Sequence, residues 1–543
     1  MVHYIYSGRN SRYRVSPHTD PGGRNSGFLP KKETPLAANT IHATSSESRQ
    51  EHRWLISISL MLAMVMVLLD MTVVSVALPY MMGALAATPN RITWVLTAYL
   101  AATAIAIPLT GHLAARFGRR RLFLVSVSGF VFASGLCGAS QTLVEIVFLR
   151  TMQGGFGALM VVLAQSTMVD LFPGKERGRA MAIWGMVLMV APAMGPVLGG
   201  FITQHMGWRW LFYINLPVGI FSLLLGAATM RESKRQNLST DWLGLLLMAI
   251  GVGSLQIVLS RGNEDYWFES RFIVALSILA VVGILIFLLR GWMISDNIIN
   301  LHLFRDRSFA TATLITGIFG LGLFGTTAMQ PLMLEGLLNY MPETTGWVMF
   351  PRGVASAVVM MIVGRLINRY QPRLFIVTGV FLTGISTWIM TSYSLYISPA
   401  WIIYPGIVRG IGMGMIFVPL TVIAFDTLPL AVSAEASGIF NLARTLGNSI
   451  GIAIDGTVLT DETQINWNQL GGHINTFSAA LPNWLQASGL APQDPRVWAL
   501  LGHTLFSQAE MVGFLDVFQW ITILFFCLLP LALLIPRRVF PTD

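Results

Sequence analysis

Charged residues are scarce in this 543-residue chain, and their scarcity excludes an ordinary water-soluble domain. Asp, Glu, Lys and Arg make up 11% of the sequence, whereas soluble domains contain about 25%. Hydrophobic residues make up 54%, and the mean hydropathy is +0.64. A helix that crosses a bilayer needs about 20 mostly apolar residues, and it pairs its backbone polar groups internally. The composition therefore predicts an all-α integral membrane protein.

Cysteine is rarer still, with only Cys137 and Cys527 in the whole sequence. Both lie in apolar stretches that are far apart, which indicates small buried side chains rather than a disulfide or a metal site. The sequence also lacks a Walker motif or any other nucleotide-binding loop, so ATP hydrolysis is not expected. We therefore expect no enzyme activity, no cofactor and no metal.

Apolar stretches long enough to cross a membrane occur fourteen times by our reading of the sequence. Residues 1–54 precede them and are rich in Ser, Arg, Asn, Thr and Pro, which predicts a disordered cytoplasmic tail; a start codon placed too far upstream explains the same segment equally well. A long outer loop is predicted over 460–512. The predicted spans are 55–79, 92–110, 122–140, 146–169, 180–203, 210–230, 242–260, 272–289, 309–334, 346–367, 374–395, 400–425, 436–459 and 513–535.

Basic residues fall mainly on one side of these spans. If both termini are cytoplasmic, the opposite side has only five of the basic residues outside the predicted spans: Arg91, Arg209, Arg261, Arg271 and Arg496. Cytoplasmic loops are enriched in Lys and Arg, so this asymmetry predicts that both termini are inside. It also explains the net charge of +9, and nucleic-acid binding is not expected.

Two weak internal matches indicate a duplicated architecture. "GHLAARFGRRR" (111–121) and "GRLINRYQPR" (364–373) share Gly-x-Leu-x-x-Arg, while "RTMQGGFG" (150–157) and "RGIGMG" (409–414) each place an arginine before closely spaced glycines. Transporters are commonly built from such repeats. The predicted plan comprises two six-helix bundles, within 55–230 and 301–543, separated by a two-helix insert with its linkers in 231–300.

Five motifs occur in a fixed order along the chain and carry a family resemblance. They are "LDMTVVSVALP" (69–79), "GHLAARFGRRR" (111–121), "RTMQGGFGA" (150–158), "GWRWLFYINLPVG" (207–219) and "FNLARTLGNSIG" (440–451). Together they resemble the major facilitator superfamily, and within it the fourteen-helix drug:proton antiporter branch of the EmrB/QacA type. The resemblance covers about residues 55–535.

The fifth predicted span resembles the antiporter motif Gly-x-x-x-Gly-Pro-x-x-Gly-Gly of that family. The matching residues are Gly195, Pro196, Gly199 and Gly200, while Ala191 replaces the first glycine. Gly185, Pro192 and the later small residues fall along one helical face. Small residues allow close helix approach in lipid, and proline bends a helix. The resemblance implies that this bend seals the two halves against leak, although an ordinary packing seam has the same composition.

The loop between spans two and three departs from its family pattern. The family carries an aspartate before its first arginine, whereas this chain has Ala115 before Arg116. The motif residues Gly111, Gly118, Arg119 and Arg120 remain. We expect the loop to help close the cytoplasmic side, but without the family's carboxylate; the same arginines also fit an ordinary cytoplasmic loop.

Charged residues inside predicted spans are candidates for function, because burying a charge in a membrane is costly. Asp70 is the best candidate proton carrier, and Arg150 matches the arginine that the family implicates in proton transfer. Asp455 is a second protonatable candidate. The alternative for Asp70 and Arg150 is a structural ion pair. Candidates for the substrate cavity are Glu335, Arg352, Arg409 and Arg444.

The resemblance and the intramembrane charges together predict a proton-coupled multidrug exporter that works by alternating access. The expected substrates are lipophilic or amphipathic small molecules, and the expected location is the inner membrane of a bacterium. The resemblance further implies a periplasmic adaptor and an outer-membrane channel as partners. An exporter of one specific metabolite, or a non-transporting sensor on the same fold, remains as an alternative.

Overall fold

Long helices form nearly all of the chain that the structure describes. The computed structural model describes residues 35–172, 174–233, 235, 241–293, 301–429, 432–473 and 495–535, with only the backbone of 35–52. Contacts divide the chain into Met1–Glu51 and His52–Asp543, and the second unit contains every candidate membrane span. The first eight helices are α1 Pro35–Ala84, α2 Pro89–Ile92, α3 Trp94–Phe117, α4 Arg119–Ala139, α5 Leu143–Leu171, α6 Arg177–His205, α7 Trp210–Tyr213 and α8 Asn215–Thr229. The remaining helices are α9 Trp242–Arg261, α10 Arg271–Met293, α11 Arg307–Leu332, α12 Pro342–Leu366, α13 Pro372–Met390, α14 Pro399–Asp426, α15 Ser433–Gly472 and α16 Pro495–Ala532.

Local sequence signals set the helix ends. Thr142 caps α5 through a capping box with Glu145, in which each side chain accepts a backbone N–H of the other residue. Proline occupies the first turn of α13 and α14, where its missing N–H costs nothing. Gly118 separates α3 from α4 with a φ of 88°, a backbone conformation that favours glycine. Short connections therefore turn the apolar stretches back on themselves.

The helices assemble as the sequence predicts. In the first half, α5 packs against α3 and α4, and α4 packs against α8; in the second half, α11 packs against α15, and α14 packs against α12 and α13. The two halves meet where α6 contacts α12 and α14, and where α15 contacts α3 and α5. The all-helical fold of two bundles with a two-helix insert is confirmed.

Fourteen spans are obtained only when two atypical helices are included. Among the described residues, twelve helices are long and apolar enough to cross a membrane. The helix α6 would be the thirteenth; it is bent by 44° between Arg177–Pro192 and Val197–His205. The helix α15 is the remaining one, and residues such as Arg444, Asn448 and Asp455 lower its hydropathy.

The predicted tail and outer loop both contain helix. α1 begins at Pro35, inside the predicted tail of 1–54, because Ala, Glu, Gln and Arg favour helix even where no apolar run marks a span. In the predicted loop 460–512, α15 continues to Gly472 and α16 begins at Pro495. Trp467 and Phe506 on these extensions lie 5.9 Å apart between ring centroids. Residues 1–34 and 474–494 of these two predictions lie outside the described residues.

The two-helix insert, α9 and α10, contacts both bundles. Its helices approach closely at Gly251 and Gly283, and Arg290 donates two hydrogen bonds of 2.9 Å to Asp241 at the base of the hairpin. These hydrogen bonds hold the pKa of Asp241 below its usual range. α9 packs against α3, and Gln256 on α9 donates a hydrogen bond to Ser449 of α15. The insert therefore lies across the junction of the bundles.

Candidate functional site

Asp70 lies near the middle of the membrane span Arg53–Ala84 of α1 and is the acceptor in a buried polar cluster. Only 2% of the residue is exposed. Arg150 of α5 donates from Nη1 to Asp70 Oδ2 at 2.5 Å. Gln153 of α5 and Asn215 of α8 donate to Asp70 Oδ1 at 3.0 and 2.9 Å. Asp70 therefore accepts hydrogen bonds from three donors on two neighbouring helices.

Arg150 is fully buried, and aromatic rings complete its surroundings. Its guanidinium carbon lies 4.3 Å from the ring centroid of Tyr99 and 5.7 Å from that of Phe212. Its Nη1 also donates to Gln153 Oε1 at 2.8 Å. Such cation–π contacts strengthen when the groups are desolvated. The structure thus brings the two predicted coupling residues together as an ion pair enclosed by three helices and two rings.

Close packing of the α5 backbone against α3 supports the ion pair of Asp70 and Arg150. A Cβ at Gly154, four residues after Arg150, would overlap the carbonyl oxygen of Tyr99 on α3, whereas a Cβ at the adjacent Gly155 meets nothing within 4 Å. Glycine at 154 therefore allows α5 to approach α3 closely enough for Tyr99 to cover Arg150.

Alanine at these two adjacent glycines is expected to have opposite effects on stability. Gly154→Ala forces α5 away from α3, at a cost of about 1–3 kcal/mol. Gly155→Ala adds only helix propensity, which is worth up to about 1 kcal/mol. Thermal unfolding of the two purified variants measures the difference; equal melting temperatures would contradict the packing at Gly154.

The second half contains an acid and an arginine that the structure does not pair. Asp455 on α15 is fully buried and accepts a hydrogen bond of 2.6 Å from Trp520 Nε1, while its Oδ2 lies against Gly325 and has no hydrogen-bond partner among the described residues. Arg409 donates instead to the carbonyl oxygen of Leu323 at 2.9 Å. Asp455 and Arg409 therefore contact α11 two residues apart, at Gly325 and Leu323.

The four predicted cavity residues lie in three different places. Arg352 donates to Gln330 Oε1 at 3.2 Å inside the second bundle, where Arg409 is also buried. Arg444 of α15 donates to Asn441 and lies over the ring of Trp184 on α6, where the bundles meet. Glu335 lies in the π-helical turn Met333–Leu337 that follows α11. Glu335 and Arg444 therefore lie apart from Arg352 and Arg409, and the assignment of the four residues to the substrate cavity stays a prediction.

Glu335 lines a pocket at the end of the molecule opposite the loop 111–121. The pocket has a volume of about 310 Å³ and opens between the two bundles. Among the lining residues that the structure describes, Glu335 is the only charged one. The other lining residues are Ser75, Val76, Pro79 and Tyr80 of α1, and Gly200 and Gln204 of α6.

The loop between α3 and α4 does make a charged contact, although the family's aspartate is missing. Arg119 forms an ion pair with Asp170 of α5 and donates from Nη2 to Ser433 of α15 at 2.9 Å. A Cβ at Gly111 would overlap the backbone of Glu435 on α15. The loop therefore has a carboxylate partner in Asp170, which is distant in sequence.

The other arginines of this loop make contacts within the first half. Arg120 donates from Nη2 to the carbonyl oxygen of Ala227 at the end of α8. Arg116 lies 5.5 Å from the ring centroid of Phe117. Arg119, in contrast, donates a hydrogen bond to the second bundle, at Ser433.

The small residues of α6 contact two different neighbours. A Cβ at Gly195 would overlap the side chain of Thr72 on α1, and a Cβ at Gly199 would lie 3.0 Å from the carbonyl oxygen of Val73. Gly185 packs instead against Phe417 and Met360 of the second bundle. Because the helix bends, the two parts of this small-residue stretch pack against different helices, and the sealing role stays a prediction. Pro192 is partly buried at the bend, Gly200 lines the pocket, and the side chain of Pro196 lies outside the described residues.

Neutral polar partners of the candidate residues were missed by the sequence prediction. Gln153 is one turn after Arg150, so helical spacing alone places both on one face of α5. Asn215 and Trp520 come from helices far away in sequence, and their position beside Asp70 and Asp455 had no local signal. Asp170 was missed because it lies just beyond the predicted end of its span.

Solved structures with the same fold include two transporters. The human organic anion transporter MFSD10 matches with a TM-score of 0.55 and 14% identity, covering 88% of this chain and 99% of that chain. The proton:xylose symporter XylE matches with a TM-score of 0.57 and 13% identity, covering 90% and 97%. At these identities the likeness concerns the fold alone.

Proteins related by sequence have a higher identity to this chain than these two solved structures. The family model of the Major Facilitator Superfamily matches residues 60–452. The multidrug export protein EmrB of Haemophilus influenzae is 32% identical over 90% of this chain and 96% of its own length. The fatty acid resistance protein FarB of Neisseria gonorrhoeae is 33% identical over 88% and 95%, and EmrB of Escherichia coli K12 is 33% identical over 88% and 94%. The chain therefore belongs to the major facilitator superfamily, in its branch of EmrB-type drug:proton antiporters.

Proposed function

We propose that the chain exports lipophilic or amphipathic compounds against a gradient, driven by protons that bind at Asp70. The observation that carries this proposal is the buried ion pair of Asp70 and Arg150, which joins α1 to α5. The relatives include multidrug export, fatty acid resistance and colistin resistance proteins, which supports export of chemically varied amphipathic molecules. The chain is a transporter and not an enzyme.

Proton binding to Asp70 changes the interactions that hold α1, α5 and α8 together. A neutral carboxyl group attracts Arg150 far less than a carboxylate does, and it also accepts weaker hydrogen bonds from Gln153 and Asn215. Arg150 then keeps its cation–π contacts with Tyr99 and Phe212 but loses its counter-ion. Protonation therefore favours a rearrangement of these three helices, and this links the proton to the shape of the first bundle.

Contacts between the bundles support alternating access from a state that is closed at one end. Arg119 reaches Ser433, and Arg177 of α6 donates to the carbonyl oxygen of Phe425 on α14, both at the end that carries the loop 111–121. The pocket at Glu335 opens at the other end. Breaking the first set of contacts while closing the pocket would expose the interior to the opposite side.

The distribution of basic residues supports an orientation with both termini in the cytoplasm of a bacterium, in the inner membrane. Loops at the end with Arg119 are rich in arginine, as expected of the cytoplasmic side. In this orientation the pocket at Glu335 faces the periplasm. The paired extensions that carry Trp467 and Phe506 also project to that side, and we propose them as the contact for a periplasmic adaptor that leads to an outer-membrane channel.

Proteoliposomes test the proposed function. The purified protein is reconstituted with an imposed pH gradient, and the accumulation of an amphipathic fluorescent dye is followed with and without a protonophore. We expect protonophore-sensitive dye movement in protein-containing vesicles and none in protein-free vesicles. A non-transporting sensor would bind the dye but leave its distribution unchanged, and an exporter of one metabolite would move none of several unrelated dyes.

A further inference from the structure

A polar cluster joins the two bundles on the inner side of the contacts at the closed end, where Gln165 lies five residues before Asp170 on α5. Gln165 of α5 accepts hydrogen bonds on Oε1 from Ser437 and Asn441 of α15. Asn441 in turn accepts from Arg444 Nη2 at 2.7 Å. The guanidinium of Arg444 lies 5.5 Å from the ring centroid of Trp184 on α6. Side chains from three helices and both bundles thus meet in one connected group.

Every polar atom of this cluster that has no hydrogen-bond partner among the described residues is an N–H donor. These atoms are Gln165 Nε2, Trp184 Nε1 and Arg444 Nη1. Leaving a buried donor unpaired costs about 1–3 kcal/mol, and more for a charged group. The cluster therefore has an excess of donors, which is the complement of a ligand that carries acceptor oxygens.

The charge of Arg444 also favours a ligand that carries acceptor oxygens. Arg444 is 7% exposed, and no carboxylate within the described part of the chain forms an ion pair with it. Arg150, by contrast, has Asp70 as its counter-ion. A buried guanidinium without a counter-ion is unfavourable, so an anion that enters this position gains both charge pairing and hydrogen bonds.

We propose that Arg444, Trp184 and Gln165 form a binding subsite for the anionic head group of an amphipathic substrate, such as a sulfonate or a carboxylate. Trp184 stacks on Phe417 with ring centroids 5.3 Å apart, and this aromatic pair supplies apolar surface beside the guanidinium. This surface favours an amphipathic anion over an inorganic one. The proposal rests on the proposed transport function and names a substrate class for it.

The position of the subsite links anion binding to alternating access. Trp184 and Gln165 belong to the first bundle, while Arg444 and Asn441 belong to the second. Arg352 and Arg409 lie wholly within the second bundle and bond to Gln330 and to Leu323. Only at Arg444 does relative movement of the bundles separate the donors, so a bound anion is released when they part.

Thermal unfolding of the purified full-length protein tests the subsite without any proton gradient. The probes are naphthalene-1-sulfonate, the matched cation (1-naphthyl)trimethylammonium, and methanesulfonate, which has the anionic group without the rings. Because a ligand that binds only the folded state raises the melting temperature, we expect naphthalene-1-sulfonate to raise it by a few degrees. The cation and methanesulfonate should leave it nearly unchanged.

Variants identify the residue responsible for the rise in melting temperature with naphthalene-1-sulfonate, called here the sulfonate shift. Arg444→Gln should lose the sulfonate shift, whereas Arg365→Gln, which removes the same charge from the exposed end of α12, should keep it. Gln165→Glu provides an independent variant in case Arg444→Gln does not fold, because it places a carboxylate beside the unpaired donors. It should also abolish the shift, through competition for the same site.

Three outcomes would overturn the proposal. The first is a full sulfonate shift in Arg444→Gln or in Gln165→Glu, and the second is an equal shift with the naphthyl cation. The third is an equal shift with methanesulfonate, which would show that the site binds the anionic group alone and that the aromatic rings add nothing. Failure of the proposed function is distinguishable from these, since it would appear as sulfonate binding without protonophore-sensitive transport in the vesicles.

Discussion

Asp70→Asn is expected to abolish substrate flux driven by a pH gradient and to leave gradient-independent exchange of substrate largely intact. Asparagine keeps the size of the side chain and can still accept a hydrogen bond, but it cannot bind and release a proton. The measurement is substrate accumulation in proteoliposomes with an imposed pH gradient, and substrate counterflow without a gradient is the control for binding and movement.

Loss of the carboxylate also leaves Arg150 buried without its counter-ion, which typically costs about 3–5 kcal/mol. The double variant Asp70→Asn with Arg150→Gln removes both charges, so it should recover stability without recovering proton-driven flux. Asp70→Glu should retain part of that flux. If Asp70→Asn kept full gradient-driven flux, the proton would have to travel by another group, and Asp455 would be the next residue to test.

Gly195→Leu is expected to reduce transport to the level of protein-free vesicles while the protein still inserts into the membrane. Even a single Cβ at this position overlaps the side chain of Thr72, so a leucine must push α6 away from α1 next to the bend. Gly83→Leu is the matched control, because a Cβ at Gly83 meets nothing within 4 Å. Transport and membrane-inserted amount are measured for both variants.

Exchanging the sizes of residues 195 and 72 tests whether their contact is the cause of the transport loss. Gly195→Ala alone should impair transport, and adding Thr72→Gly should restore part of it, because the space is then provided from the α1 side. Normal export by Gly195→Leu would show that the close approach of α6 to α1 is not needed for the transport cycle.

The membrane helices were largely predictable because each one needs an unbroken apolar stretch of defined length. The exceptions are informative. α15 carries Arg444, Asn448 and Asp455 and falls below the hydropathy of an ordinary span, since neighbouring helices and not lipid surround these side chains. Helix beyond the spans, as in α1 before residue 55 and α15 after residue 459, depends on propensity and packing and has no hydropathy signal.

The sequence by itself determined the membrane fold, the duplicated plan and the identity of the buried charges, because hydrophobicity and the cost of intramembrane charge are properties of single residues and short segments. Only the tertiary structure decided the partners: Asp70 is paired with Arg150 while Asp455 bonds to Trp520. Arg119 of the loop is paired with Asp170, and Gly195 packs against α1. Helix bending and the packing of segments distant in sequence set the direction in which each side chain points, and local sequence carries no record of that direction.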